Sequence, residues 1–210
     1  MKTWTSAFGS ACGWLLNHIV HGLALTRISP NALTFIGLVI NIVAAFFFGH
    51  ANAANCDRMF LLAGAVIFGA GLFDMVDGRV ARRTNKVTVF GSFFDSVMDR
   101  YSDVVLFFGV LVYYGRINRF RYVVLTAFVM VTSLMVSYTR ARAEALIGQC
   151  KVGFMERPER IVLIIIGAVF NHWGAMAPVL WVLAALSTIT VTHRIVYTYQ
   201  NTKHLDPLQQ

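Results

Sequence analysis

Residues 59–77 read MFLLAGAVIFGAGLFDMVD. The run is apolar for nearly the ~20 residues that a helix needs to cross a bilayer, and it closes on two carboxylates, Asp74 and Asp77. Working outward, comparable apolar blocks fall at residues 31–50, 91–113, 120–141, 157–172 and 176–197. The fifth is short and begins in a charged stretch. The pattern predicts an all-α integral membrane protein with six transmembrane helices. Before them, Trp4, Phe8, Leu15, Ile19 and Leu23 recur at helical spacing, which predicts an N-terminal amphipathic helix lying in the membrane interface. The expected organisation is one domain over 1–210: an interfacial helix in 1–28, a membrane bundle in 31–197 and a cytoplasmic tail in 198–210.

Composition agrees. Of 210 residues, 57% are hydrophobic and 13% charged, about half the charge of an ordinary soluble domain. That excludes a disordered tail and a typical cytosolic enzyme. Three scattered cysteines, Cys12, Cys56 and Cys150, imply neither a disulfide framework nor a zinc site. No cleavage site follows Lys2, so no secretory leader is expected. The net charge of +8 reads as topology bias and attraction to anionic lipid rather than nucleic-acid binding.

With the N-terminus in the cytoplasm, the inner side collects 13 of the 18 Lys and Arg residues, and the outer side 4, namely Arg58, Arg116, Arg119 and Arg121. Arg100 falls within the third span. The asymmetry predicts a multi-pass protein of the cell (inner) membrane, with both termini inside.

Ten acidic residues occur in the chain, and five lie between residues 74 and 103. Spacings of three and four put Asp74 with Asp77, and Asp95 with Asp99, on shared helix faces. A short connection makes the second and third helices antiparallel neighbours, so both pairs meet at the cytoplasmic end. Each intramembrane Asp costs about 3 kcal/mol, and mutual repulsion adds to that. Hard divalent cations relieve the cost best, and an oxygen-only donor set selects Mg2+ or Mn2+. Pairing with Arg82, Arg83 or Arg100 is the purely structural alternative. Nearby, Gly78 and Ala81 leave room for a bulky ligand, and Arg82 offers a fork suited to phosphate.

Written out, the stretch is Asp74-x2-Asp77-Gly78-x2-Ala81-Arg82-x8-Gly91-x3-Asp95-x3-Asp99. It resembles, at all eight positions, the signature of the CDP-alcohol phosphotransferases. Pro30-Asn31-x-x-Thr34 is similar to that family's opening of the first span. The resemblance implies transfer of phosphatidyl from CDP-diacylglycerol to an alcohol, with release of CMP. It further implies two Mg2+ or Mn2+ ions on Asp74, Asp77, Asp95 and Asp99, with Asp99 as general base. Contacts to the CDP-lipid are implied for Pro30, Asn31, Thr34, Asp74, Gly78, Ala81, Arg82 and Thr88, and a homodimer is implied as well. Asp103, one turn deeper than Asp99, is expected to be a structural partner.

Acceptor choice must come from the other helices. Ser137-Tyr138-Thr139-Arg140-Ala141-Arg142-Ala143-Glu144 closes the fourth span, and Gly153-Phe154-Met155-Glu156-Arg157-Pro158-Glu159-Arg160 opens the fifth. Alternating span direction brings Ser137, Arg140, Arg142, Arg157, Arg160 and Arg194 to the depth of the carboxylates. Several arginines around one cavity suit a doubly charged phosphate. The two segments resemble those of the phosphatidylinositol-phosphate synthases within the family, with Arg140 standing where a Lys is usual. An inositol phosphate acceptor is therefore expected. Free inositol, glycerol 3-phosphate or serine would use the same chemistry. A cation-coupled transporter is the other class with intramembrane carboxylates, but this chain lacks the repeats such folds carry.

Overall fold

The computed structural model describes residues 29–83 and 88–203. Within them the chain forms six α-helices and one 3-10 turn: α1 (Pro30–His50), α2 (Cys56–Arg83), α3 (Val89–Arg116), α4 (Phe120–Ile147), α5 (Arg157–Val169), the turn Asn171–Trp173, and α6 (Met176–Thr202). No strand occurs among the described residues. The interfacial helix expected before residue 29 lies outside them.

Local chemistry sets the boundaries. Ser29 caps α1, its hydroxyl accepting from the Ala32 N–H at 3.3 Å, and Pro30 follows in the first turn, where a missing N–H costs nothing. Thr88 caps α3 by accepting from the Gly91 N–H at 2.9 Å. Between α1 and α2, Asn52 Oδ1 accepts from the N–H groups of Ala54 and Asn55, a local turn that reverses the chain. Gly148, at φ 77°, ends α4, in a conformation that L side chains rarely adopt.

Among the described residues, three helices are long and apolar enough to cross a membrane, at Asn31–His50, Phe120–Ile147 and Met176–Thr202. α2 and α3 carry the acidic cluster, which dilutes their hydropathy. α5 has 13 residues and is about 20 Å long at 1.5 Å per residue, shorter than the hydrocarbon core. α6 continues through Thr202, so the first residues of the expected tail are helical.

Each helix packs chiefly against two others, in the order α1, α2, α5, α6, α4, α3 and back to α1. The six therefore close a ring. Leu33, Ala44, Phe48, Phe60, Leu106, Phe107, Leu180 and Leu183 are buried within it, while Phe35, Val39, Ile42, Val43 and Phe46 are exposed along α1. α1 and α3 approach one another closely. A Cβ added to Gly109 would lie 2.5 Å from the Ala45 carbonyl oxygen, so only glycine permits this contact. Hydroxyl groups bond within their own helices: exposed Thr188 and Thr192 donate to the carbonyls of Ala184 and Thr188, at 2.7 and 3.0 Å. Such back-bonding lets a polar side chain face lipid without an unsatisfied donor.

Candidate active site

The ring brings the end of α2, the starts of α3 and α5, and the ends of α4 and α6 to one side. On α2, Asp74 is half-buried against Gly37 of α1, where an added Cβ would lie 3.1 Å from Asp74 Oδ1. Gly37 thus makes room for the carboxylate. It is one helical turn beyond Thr34 on the same face of α1. The α2 backbone continues as helix through Asp77, Gly78, Ala81 and Arg82, and the side-chain roles expected of those four lie outside the described residues.

Three residues expected at the CDP-lipid are gathered around the start of α3. Asn31 Oδ1 and Thr88 Oγ1 stand 3.2 and 2.9 Å from where a Gly91 Cβ would be. Thr34 hydrogen-bonds the Asp95 side chain. Gly91 is therefore needed for space, letting the first turns of α1 and α3 meet. Pro30 occupies the first turn of α1.

Arg157 occupies the centre of the cluster. Its Nη1 lies 2.8 Å from Asp74 Oδ2 and 2.8 Å from Asp99 Oδ1, and its Nε 3.8 Å from Asp103 Oδ1. Asp103 is buried and also accepts from Arg160 Nη2 at 2.5 Å, the structural pairing expected of it. Asp74 and Asp99 thus take a partner from α5, and not Arg100; the pairings weighed with Arg82 and Arg83 lie outside the described residues.

A cavity of about 380 Å³ opens beside Asp99. Its walls include five of the six residues expected at the acceptor: Ser137, Arg140, Arg157, Arg160 and Arg194. Arg142 is not among them. It is exposed and lines a separate groove with Tyr138 and Thr198. Two residues along a helix turn the side chain by about 200°, which carries Arg142 to the far side of α4 from Arg140.

The arginines differ in how far they are committed. Arg194 is 1% exposed, donating from Nε to the Val152 carbonyl at 2.9 Å and from Nη1 to that of Val136 at 2.6 Å, with Nη2 3.4 Å from Glu156. It ties the loop before α5 to α4 and α6. Arg140 bonds Glu144 at 3.0 Å and Glu156 at 2.7 Å. Arg160 leaves Nε and Nη1 buried without a partner among the described residues. Arg100, Ser96, Asp103, Glu144 and Glu156 complete much of the lining. Glu156 stands directly before Arg157 in the segment that opens the fifth span. The sequence offered Arg100 only as an alternative ion-pair partner within the third span, and Ser96 carried no signal beyond standing three residues before Asp99.

A second groove, about 330 Å³, runs between α2 and α5. Ile67, Phe68, Leu72, Ile161, Val162 and Ile165 line it, and Asp74 and Arg157 close its polar end.

Among the described residues, no three His, Cys, Asp or Glu side chains stand together as a metal cage. Asp74 and Asp99 nevertheless converge on one cationic nitrogen, and all donors present are oxygens. That chemistry fits a hard divalent cation.

An all-helical fold with apolar helices long enough to span a bilayer, and with carboxylates and arginines gathered at one end, defines a membrane-embedded enzyme site for phosphate chemistry. The CDP-alcohol phosphatidyltransferase family model matches residues 27–193, and the chain belongs to that family. It is 38% identical over 192 residues to the archaetidylinositol phosphate synthase of Pyrococcus horikoshii, covering 91% of this chain and 93% of that protein. Its fold is similar to the crystal structure of Mycobacterium tuberculosis phosphatidylinositol phosphate synthase with CDP-DAG bound, with TM-score 0.80 and 29% identity over 91% of this chain and 96% of that one. The same enzyme in complex with manganese and citrate gives TM-score 0.80 and 30% identity, over 91% and 92% of the two chains.

Proposed function

We propose that this protein transfers the phosphatidyl group of CDP-diacylglycerol, or of a CDP-lipid with another apolar backbone, to a hydroxyl of an inositol phosphate. The observation that carries this reading is the single cavity in which Asp99 faces Arg140, Arg157 and Arg160. A base and a set of phosphate-binding forks share one space, as a phosphorylated alcohol requires. The names of the synthases it resembles, archaetidylinositol phosphate and phosphatidylinositol phosphate synthase, support the acceptor. Membership of the family sets the transporter reading aside.

Asp74, Asp77, Asp95 and Asp99 would hold two divalent ions, Mg2+ or Mn2+. When bound, these supply charge neutralisation at the pyrophosphate and at the departing CMP. The chain's own residues do the rest. Asp99 takes the proton from the acceptor hydroxyl as its oxygen bonds to the phosphatidyl phosphorus. The phosphorus–oxygen bond to CMP breaks, and the electron pair leaves with CMP. Asn31, Thr34 and Thr88, with Pro30, Gly78, Ala81 and Arg82, frame the nucleotide end of the CDP-lipid. The apolar groove between α2 and α5 suits an acyl or isoprenoid chain entering sideways from the bilayer. Arg140, Arg157 and Arg160 orient the acceptor phosphate, with Ser137 beside them. Arg194 fixes the wall that carries them, and Arg142 belongs to the outer face.

The membrane arrangement proposed is six spans in one domain, with α5 and the 3-10 turn together forming the fifth. Both termini and the site face the cytoplasm, and the unit is a homodimer in the cell membrane. CMP release by the purified protein with CDP-diacylglycerol and Mg2+, offering inositol 1-phosphate, inositol, glycerol 3-phosphate or serine singly, tests the reading. Turnover confined to inositol 1-phosphate is expected. Turnover with inositol or serine instead would overturn the role given to the arginines.

A further inference from the structure

Four of the five arginines lining the cavity are already neutralised by carboxylates: Arg140 by Glu144 and Glu156, Arg157 by Asp74 and Asp99, Arg160 by Asp103, and Arg194 by Glu156. Arg100 is the fifth. No carboxylate of the described residues lies within 4.0 Å of it. Its Nη1 donates to the hydroxyl and carbonyl of Ser96 on the same helix, which holds the guanidinium while leaving Nε and Nη2 without hydrogen bonds to the described residues. Neither nitrogen is among the buried atoms lacking partners, so both remain accessible to solvent on a residue that lines the cavity. A fixed, unneutralised guanidinium at the membrane end of a bundle is costly unless an anion meets it.

We infer that Arg100 is a specificity-determining residue that binds the phosphate of the acceptor. It directly follows Asp99 and shares the cavity with Ser137 and Arg140. It does not line the apolar groove that reaches Asp74. Arg157 must leave two carboxylates before it can bind a new anion, whereas Arg100 has none to leave. An acceptor phosphate held there sits on the Asp99 side of the cavity, the side on which its hydroxyl must be deprotonated. The inference rests on the acceptor reading above and adds a residue to it.

The test compares wild type with Arg100→Gln and Arg100→Lys in the CMP-release assay, varying inositol 1-phosphate and CDP-diacylglycerol separately. Loss of a charge-assisted contact should raise the KM for inositol 1-phosphate about tenfold or more in Arg100→Gln. The KM for CDP-diacylglycerol should stay within about twofold, and Arg100→Lys should recover part of the loss. Without CDP-lipid, inositol 1-phosphate should raise the thermal midpoint of wild type but not of Arg100→Gln. An unchanged acceptor KM, or equal rises for both substrates, would overturn the assignment. Should wild type turn over glycerol 3-phosphate rather than inositol 1-phosphate, the inositol reading fails and Arg100 is judged by the same KM comparison on that phosphate. Turnover of neutral acceptors alone sinks both.

Discussion

Arg157 Nη1 lies 2.8 Å from Asp99 Oδ1, and the same nitrogen meets Asp74 from the neighbouring helix. One cation from α5 thus draws together carboxylates from α2 and α3. A divalent ion held by those oxygens would compete with the guanidinium for them and would release Arg157 toward the acceptor cavity. Arg157→Gln is expected to bind Mn2+ several-fold more tightly in the substrate-free protein, read by electron paramagnetic resonance. Its KM for the phosphorylated acceptor should rise about tenfold while that for the CDP-lipid changes little. Equal effects on the two substrates would show that Arg157 is a strut between helices and not an acceptor ligand.

Asp99→Asn keeps the shape of the side chain and removes its basicity. Turnover should fall by about a hundred- to ten-thousandfold. The unfolding midpoint should move little, because Asp74 still pairs with Arg157. Circular dichroism melting in detergent alongside the CMP assay separates the two. Turnover near the wild-type level would remove Asp99 from the role of base.

Much of this site was legible along the chain, for reasons that are local. Asp74, Asp95 and Asp99 were placed by helical periodicity, and Ser29 and Pro30 marked the first helix by capping chemistry. The longer extents of α2 and α3 were hidden because hydropathy stops reporting where a helix emerges from hydrocarbon, although its backbone bonding continues. Arg157 and Asp74 are 83 residues apart, and no pattern along the sequence selects Arg157 over Arg82 or Arg100 as the partner. Arg142 was grouped with Arg140 by depth alone. Helical phase, readable from their spacing of two, separates them.

Arg160 and Asp103 form the most buried ion pair among the described residues, with side chains 1% and 5% exposed at 2.5 Å. Removing one partner from such a pair strands the other charge and costs about 3–5 kcal/mol. Asp103→Ala is therefore expected to lower the melting midpoint markedly. The double replacement Asp103→Leu with Arg160→Met should recover much of that stability while acceptor binding stays poor, because a guanidinium is lost from the cavity wall. A double variant that is no more stable than Asp103→Ala would show that the pair does more than neutralise itself.

Gly153 joins a backbone conformation suited to glycine to the acceptor cavity. It adopts φ 101°, and an added Cβ would lie 2.5 Å from Thr190 Cγ2 and 3.1 Å from Arg194 Nε. The same loop is clamped to α6 by the Met155 N–H on Thr190 Oγ1 at 3.1 Å and by Arg194 Nε on the Val152 carbonyl at 2.9 Å. Three residues beyond Gly153 comes Glu156, which holds Arg140, and next to it Arg157. Gly153→Ala must either adopt a strained backbone, at about 1–3 kcal/mol, or push the loop off α6. Either displacement reaches Glu156 and Arg157 before it reaches the start of α1, where the nucleotide end is framed. The acceptor KM should therefore rise several-fold with the CDP-lipid KM nearly unchanged, and the melting midpoint should fall by a few degrees. A variant with normal kinetics and normal stability would mean that the loop tolerates a side chain there and that its contact with α6 does not position the arginines.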